Sequence, residues 1–279
     1  MRALVLAGGG VAGIAWELGM IAGLHDAGVD LTGADLIVGT SAGAAVGAQI
    51  ASGVALAELL ALQLAPAGES REINVTLDIE RYRASIAELV VGVSDPAEAR
   101  ARIGRMALAA ETVPEATRRE VIASRLPVLD WPERRLVLVA VDALSGAVVT
   151  LDRSSGVPMV DAVAASCAVP GVWPPVTING RRYVDGGARS VTNADEAAGH
   201  DRVVILIPMT LEGPAQAQFD SERAALGADT RVVVVASDAA SLAAIGSNPL
   251  DPATRAPAAR AGQAQAASAA DAVRAVWLE

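Results

Sequence analysis

Short apolar runs recur along the chain and alternate with segments of helical spacing. These runs occupy residues 3–8, 35–40, 135–144, 202–208 and 231–237. Runs of four to eight apolar residues bounded by turn residues are typical of strands that are buried on both faces of a sheet. The pattern therefore predicts the strands of a mostly parallel sheet.

The segments between these runs predict helices. Residues 13–28 have helical apolar spacing and stop at Gly28, residues 41–53 are rich in small side chains, and residues 257–277 are rich in alanine. Residues 55–130 predict several further helices, whose order in space the pattern does not give. Prolines interrupt this segment at positions 66, 96, 114 and 127. Alternation of strands and helices predicts an α/β sandwich.

The middle of the chain carries signals for shorter elements. Residues 146–152 predict a strand soon after the run at 135–144, and residues 161–171 predict a short helix. Asn179-Gly180 lies between two apolar runs within residues 176–187, which is a strong hairpin signal. No repeat or low-complexity linker divides the chain, so we expect one domain spanning residues 1–279.

Composition restricts the partners and the chemistry. The chain has 279 residues, a net charge of −10 and only 3% aromatic residues, so its core must consist mainly of Ala, Val, Leu and Ile. The acidic balance argues against binding to nucleic acid and against strong attraction to anionic membranes. All 22 basic residues are arginine, which excludes a catalytic lysine, and Cys167 has no second cysteine for a disulfide.

The amino-terminal stretch resembles a signal peptide, with a positive charge followed by a small apolar run. Glu17 interrupts this run early, and the glycines within it are clustered. We therefore expect the stretch to be retained in a cytoplasmic protein, with at most peripheral contact with a membrane. The sequence does not predict the oligomeric state.

Ser41 lies between a predicted strand and a predicted helix, in the pattern Gly39-x-Ser41-x-Gly43. A sharp strand-to-helix turn holds its tip residue in a strained conformation and needs small neighbours two residues away on each side. The tip side chain then lies at the carboxyl edge of the sheet, beside the N-terminus of the helix. The pattern favours a nucleophilic serine, and the alternative is a helix N-cap.

A second glycine motif, Gly8-x-Gly10-x-x-Gly13, also lies between a strand and a helix. It is compatible with a dinucleotide-binding loop, with a loop that donates N–H groups to an oxyanion, or with close packing of helix on strand. The dinucleotide interpretation needs an acidic residue at the end of the second strand. Asp30 and Asp35 both precede that strand, so the oxyanion interpretation is favoured.

A nucleophilic serine needs a base, and neither histidine has a suitable position. His200 immediately precedes a strand and His25 is near the C-terminal end of a helix, so both should lie away from the carboxyl edge, as ordinary surface or capping residues. Asp185 follows a short strand and precedes two glycines. Such an Asp is often part of a turn. Partial burial would raise its pKa and make it an effective base.

The three motifs, GGGVAG at 8–13, GTSAG at 39–43 and DGG at 185–187, resemble in their order the patatin-like phospholipases. The similarity is good over residues 3–53 and 135–208. It implies a three-layer α/β/α sandwich and a lipid acyl hydrolase.

The resemblance implies that Ser41 is the nucleophile and Asp185 the base of a dyad without histidine. It also implies that an oxyanion hole is formed by Gly9, Gly10 and the amide of Ala42. Motif glycines support the site at positions 8, 13, 39, 43, 186 and 187.

Two residues depart from the pattern of the family. Ala12 occupies a place where members commonly have Arg or Lys, which removes a positive charge and could weaken a preference for anionic headgroups. Asn193 lies where many members have proline.

The sequence implies an acyl lipid or other ester as substrate, with transient contact with a membrane surface. It implies no metal and no cofactor. Residues 55–130 would supply an acyl pocket or a lid. The alternatives are a dinucleotide-binding oxidoreductase and an inactive interaction protein with the same fold.

Overall fold

The computed structural model describes residues 1–279 and contains eight strands and ten α-helices. The strands are β1 Arg2–Leu6, β2 Leu36–Gly39, β3 Arg135–Asp142, β4 Val148–Leu151, β5 Val176–Ile178, β6 Arg181–Asp185, β7 Arg202–Ile207 and β8 Arg231–Ala236. The helices are α1 Gly10–Asp26, α2 Ala42–Ala51, α3 Leu56–Leu64, α4 Ile79–Leu89, α5 Pro96–Ala109, α6 Glu115–Arg125, α7 Met159–Ser166, α8 Gly213–Ala225, α9 Ala239–Ile245 and α10 Arg255–Trp277.

Each predicted strand and helix is present, and two of the four prolines of the middle segment lie at the starts of α-helices. Pro96 is the first residue of α5, and Pro114 immediately precedes α6. Proline suits the first turn because its fixed φ is helical and its missing N–H would have no partner there. The sequence pattern did not predict α8 or α9. In α8 only Phe219 and Glu222 are buried, so its apolar periodicity is weak.

The sheet is mostly parallel, as predicted. Strands β8, β7, β1, β2 and β3 pair in this order and run in the same direction. Strand β4 and the β5–β6 hairpin pair antiparallel. Both turn residues of the hairpin, Asn179 and Gly180, have positive φ, at 51° and 75°. This is the conformation that an Asn-Gly turn requires.

Strand β3 is longer than β2, and its pairings fix the position of β6. Leu138 pairs with both Gly39 of β2 and Leu151 of β4, so these two strands lie on opposite edges of β3. Ala140 pairs with β4 and also with Asp185 of β6, so β6 lies on the same edge as β2. Asp185 is thus placed just beyond the point where β2 ends.

Alternating side chains of the strands face two layers of helices. Leu4 and Leu6 belong to the larger core, which includes residues of α1, α2, α7 and α10. Ala3 and Val5 face the other side and pack in a core with Phe219 of α8. Helix α5 packs on β3 and β6. The protein is therefore a three-layer α/β/α sandwich. None of its helices combines the length and the apolarity needed to cross a bilayer.

Candidate active site

Ser41 occupies a sharp turn between β2 and α2. Its backbone has φ 54° and ψ −111°, and its side chain does not cap the helix that it precedes. A non-glycine residue in such a conformation costs about 1–3 kcal/mol, which the surrounding structure must offset. The hydroxyl is therefore not used as an N-cap and remains available for other chemistry.

Close packing and two side chains hold this turn in place. A Cβ atom at Gly43 would lie 2.0 Å from the carbonyl oxygen of Leu6, so the crossing of α2 and β1 requires glycine. The N–H of Ser41 donates to Ser166 Oγ at 3.0 Å, and Cys167 Sγ donates to the carbonyl oxygen of Ser41 at 3.1 Å. No local pattern in the sequence indicated a role in the site for Ser166 or Cys167.

Asp185 ends β6 with its carboxyl group buried. Its Oδ1 accepts a hydrogen bond from the N–H of Gly187 at 2.7 Å, while Oδ2 is buried without a hydrogen-bond partner. A turn accounts for the hydrogen bond to Oδ1 but not for the burial of Oδ2 without a partner. A buried oxygen without a partner costs about 1–3 kcal/mol, which is common at sites that bind or react.

The pKa of Asp185 depends on this environment. Burial raises it from 3.8 to about 7, although the hydrogen bond from Gly187 and the hydroxyl of Ser41 lower it. The Ser41 hydroxyl is therefore near the carboxyl group, but it makes no hydrogen bond of ordinary geometry to Oδ2, which has no partner. Catalytic hydrogen bonds are often long without substrate.

The glycine loop is short because α1 begins within it, at Gly10. In the turns and loops, the N–H groups of Gly8, Gly13 and Gly43 donate to backbone carbonyls, whereas those of Gly9, Gly10 and Ala42 do not. The last three residues lie at the N-termini of α1 and α2, where first-turn N–H groups have no partner in the helix. Two helix N-termini therefore present free donors close to Ser41.

The acidic residues required by a dinucleotide loop lie at the wrong edge of the sheet. Strand β2 ends at Gly39 with no acidic residue, and Asp35 Oδ2 accepts a hydrogen bond from the N–H of Arg2 at the start of β1. Asp30 is bound to Thr32 in an exposed turn. The geometry therefore gives the dinucleotide interpretation no support.

The histidines are also remote from Ser41. His200 precedes β7 and makes a hydrogen bond between Nδ1 and the carbonyl oxygen of Ala197 at 3.0 Å. Of the two expected roles, surface or capping residue, the first does not hold because the His200 side chain is buried, while its contact with Ala197 at the end of a short turn is of the capping kind. His25 is exposed in the last turn of α1, where a basic residue complements the helix dipole.

Asn193 links the segments that carry Ser41 and Asp185. Its Nδ2 donates to Thr40 Oγ1 at 3.0 Å and to the carbonyl oxygen of Ser190 at 2.7 Å, with a longer contact to that of Gly186 at 3.4 Å. In the sequence, Asn193 stood out only as a departure from the family pattern. The asparagine has φ 47°, a conformation that it tolerates better than most residues.

We expect Asn193→Ala to destabilise the protein by about 2–4 kcal/mol, because buried polar groups lose their partner and alanine is strained at positive φ. Asn193→Gly is the matched control, since it removes the same hydrogen bonds without the strain and should cost about 1 kcal/mol less. Urea denaturation of both variants gives the two values. Equal stability of wild type and Asn193→Gly would contradict a bracing role.

A narrow cavity lies beside Ser41. The volume within it that the centre of a water molecule can occupy is about 10 Å³. Its apolar lining comes from Val11, Ile14, Val169, Trp173 and Leu250. Residues 55–130 contribute two charged side chains to it, Arg118 and Arg125. A larger cavity of about 360 Å³ lies at the amino edge of the sheet, beside the end of α2, and contains none of the predicted site residues.

Comparison with known protein families shows that residues 4–198 match the family model described as patatin-like phospholipase. No curated protein matches the chain by sequence.

Two solved structures align with the chain at low similarity. VipD from Legionella pneumophila aligns with a TM-score of 0.48 and 14% identity, over 97% of this chain and 67% of VipD. The type III effector protein ExoU aligns with a TM-score of 0.44 and 18% identity, over 100% of this chain and 53% of ExoU. The chain thus spans about two thirds of one and about half of the other. At these scores neither alignment carries an argument about its chemistry.

Proposed function

Because the chain belongs to the patatin-like phospholipase family, we propose that it is a serine hydrolase that cleaves carboxylic esters of acyl lipids. The observation that carries this proposal is the buried Asp185 carboxyl group beside Ser41, with one oxygen lacking a partner and a pKa raised to about 7. A carboxylate with this pKa is matched to proton transfer near neutral pH.

In the proposed reaction, Ser41 Oγ attacks the acyl carbonyl carbon while its proton passes to Asp185. The protonated Asp185 then donates that proton to the leaving alkoxide, and an acyl-enzyme remains. Asp185 next takes a proton from water, which attacks the acyl-enzyme, and the fatty acid leaves as Ser41 regains a proton. The two steps replace one difficult displacement with two easier ones.

The negative charge that develops on the carbonyl oxygen needs donors that are already in place. We assign this role to the N–H groups of Gly9, Gly10 and Ala42, which donate to no carbonyl in the turns. The N-terminal ends of α1 and α2 add their positive dipole ends at the same point. Removal of one such donor typically reduces the rate by about 10²- to 10³-fold.

Access to Ser41 requires a movement, since its residue is only 8% exposed and the neighbouring cavity is narrow. Within the single hydrolase domain, we assign the lid to residues 55–130, and specifically to α4, which has no buried residue. Tyr82 of α4 donates a hydrogen bond from its hydroxyl to the carbonyl oxygen of Pro170 at 3.0 Å. Partial burial, and then the charge of Asp185, raise the pKa of this tyrosine.

The activity should depend on pH through Asp185. Since the base must be unprotonated and its pKa is about 7, kcat/KM for an uncharged ester is expected to fall tenfold for each pH unit well below 7 and to level off above it. A pH–rate profile measured with p-nitrophenyl butyrate checks this, with product quantified after adjustment to one pH. Constant activity from pH 5 to pH 8 would argue against Asp185 as the base.

A further inference from the structure

Arg118 is a buried cation without adequate partners. It lies on α6, is 4% exposed, and lines the same narrow cavity as Ser41. Its Nε and Nη1 atoms are buried and make no hydrogen bond. Burial of a charged donor without a partner is costly, and the cost is removed when an anion binds.

The nearby acid does not satisfy this guanidinium. Glu72 binds Arg125 through two hydrogen bonds of 2.7 Å, whereas Arg118 Nη1 is 3.7 Å from Glu72 Oε2, beyond hydrogen-bond distance. Arg255 is also close enough to Glu72 to help lower the pKa of that carboxyl group. Three arginines therefore surround one carboxylate, and the cluster has an excess of positive charge.

The orientation of Arg118 is fixed by Trp173. The guanidinium carbon lies 3.8 Å from the centre of the indole ring, a stacked cation–π geometry. Burial and the charge of Arg125 lower the pKa of Arg118 to about 9, with Glu72 opposing them, so the group is charged at neutral pH. Stacking leaves the in-plane N–H groups free to donate to an oxyanion.

We propose that Arg118, supported by Arg125, forms a subsite for a compact oxyanion that the substrate carries close to its scissile ester. A phosphate or a carboxylate has the matching chemistry, since both accept paired hydrogen bonds from a guanidinium. This subsite places positive charge beside Ser41 although Ala12 provides none in the glycine loop. The inference rests on the proposed hydrolase function and specifies its substrate as an anionic ester.

The alternative is that Arg118 only anchors the loop that contains Glu72. Arg125 already provides that anchor with two short hydrogen bonds. A purely structural arginine would affect all esters equally, so discrimination between a charged and an uncharged ester separates the two roles.

The test compares a monoacylglycerol with the monoacylglycerol phosphate that has the same acyl chain. For Arg118→Met we expect the ratio of kcat/KM, phosphate ester over neutral ester, to fall about tenfold or more, mainly through KM. Arg119→Gln is the matched control, because Arg119 is the next residue of α6, exposed and paired with Asp161, and its loss should leave the ratio unchanged. An unchanged ratio in Arg118→Met would overturn the subsite.

Binding of inorganic phosphate gives a readout that does not require hydrolysis. Phosphate should change the fluorescence of Trp173 in the Ser41→Ala variant, and Trp173→Phe in that background should abolish the change. If no ester is cleaved but phosphate still produces this signal, the proposed hydrolase function fails and the subsite stands. If phosphate produces no signal and the substrate ratio still falls, the anion must be attached to the ester. If Arg118→Met does not fold, Arg118→Gln replaces it in the comparison of the two esters, and an unchanged ratio in that variant overturns the subsite.

Discussion

Replacement of Ser41 by alanine is expected to reduce ester hydrolysis by about 10⁴- to 10⁶-fold, the range found when a catalytic serine is removed from other hydrolases. The variant loses the nucleophile but keeps the donors at Gly9, Gly10 and Ala42, so some residual catalysis should remain. Labelling by a fluorophosphonate, which reacts covalently with activated serines, should disappear completely.

The variant should fold, because the Ser41 hydroxyl caps no helix and makes no hydrogen bond of ordinary geometry. The backbone bonds of this residue to Ser166 and Cys167 do not depend on its side chain. A melting temperature close to that of wild type would therefore show that the lost activity is chemical in origin.

Ser52→Ala is the matched control, since Ser52 lies just beyond the other end of the same helix. This variant should label and hydrolyse as wild type does. Equal labelling of wild type and Ser41→Ala would refute Ser41 as the nucleophile. Absence of labelling in wild type would favour an inactive interaction protein, and a rise in melting temperature with NAD(P) would favour a dinucleotide-binding oxidoreductase.

Replacement of Asp185 by asparagine is expected to reduce activity by about 10⁴-fold, because an amide cannot accept the serine proton. The same change should stabilise the fold at neutral pH. The folded pKa of Asp185 is raised from 3.8 to about 7, so ionisation opposes folding. Asparagine does not ionise, so this cost to folding is absent, and its side chain has nearly the same shape as that of aspartate.

The direction of the pH dependence follows from linkage. A group with a raised folded pKa does not affect wild-type stability below about pH 3.8 and reduces it progressively as pH rises towards 7. The advantage of Asp185→Asn should therefore increase across this interval and become constant above it, at no more than about 4 kcal/mol for a shift of about three pKa units. Urea denaturation at pH 4 and pH 8 measures it.

Asp142→Asn is the control of opposite sign. Burial raises the pKa of Asp142, but hydrogen bonds from Ser145 and Leu144 and the charge of Arg181 bring it below its ordinary value. Its ionised form therefore favours folding, and the asparagine variant should be less stable than wild type at pH 8. Destabilisation of Asp185→Asn at pH 8 would show that the Asp185 carboxylate is better accommodated than its buried, unpartnered oxygen indicates.

Local signals determined much of the fold and the family. The five apolar runs became the parallel strands because the interior of an α/β sheet is apolar on both faces. The Asn179–Gly180 turn and the strained turn at Ser41 followed from glycine spacing, since few residues adopt these backbone angles. The two helices that the sequence pattern did not predict have weak local signals, because α9 is short and α8 buries little.

Residues that act through distant contacts gave no such signal. Asn193 contacts Thr40, 153 positions away, and Arg118 approaches Ser41 from a segment with irregular apolar spacing. Their roles depend on burial and on missing or distant partners, which no local pattern encodes. Ala12 removes a positive charge from the glycine loop and thus indicated a weaker preference for anionic headgroups, whereas the structure places Arg118 and Arg125 in the cavity beside Ser41.

The sequence by itself determined all the strands and all the helices except α8 and α9, the turn at Ser41, and Asp185 as the candidate partner, because each depends on backbone preferences within a few residues. Only the tertiary structure decided how the pair meets. Strand β3 extends beyond the end of β2. Strand β6 pairs antiparallel with the part of that β3 edge that β2 leaves unpaired. Asp185 is thereby buried next to Ser41, and that burial, which depends on neighbours from the whole chain, raises its pKa to about 7.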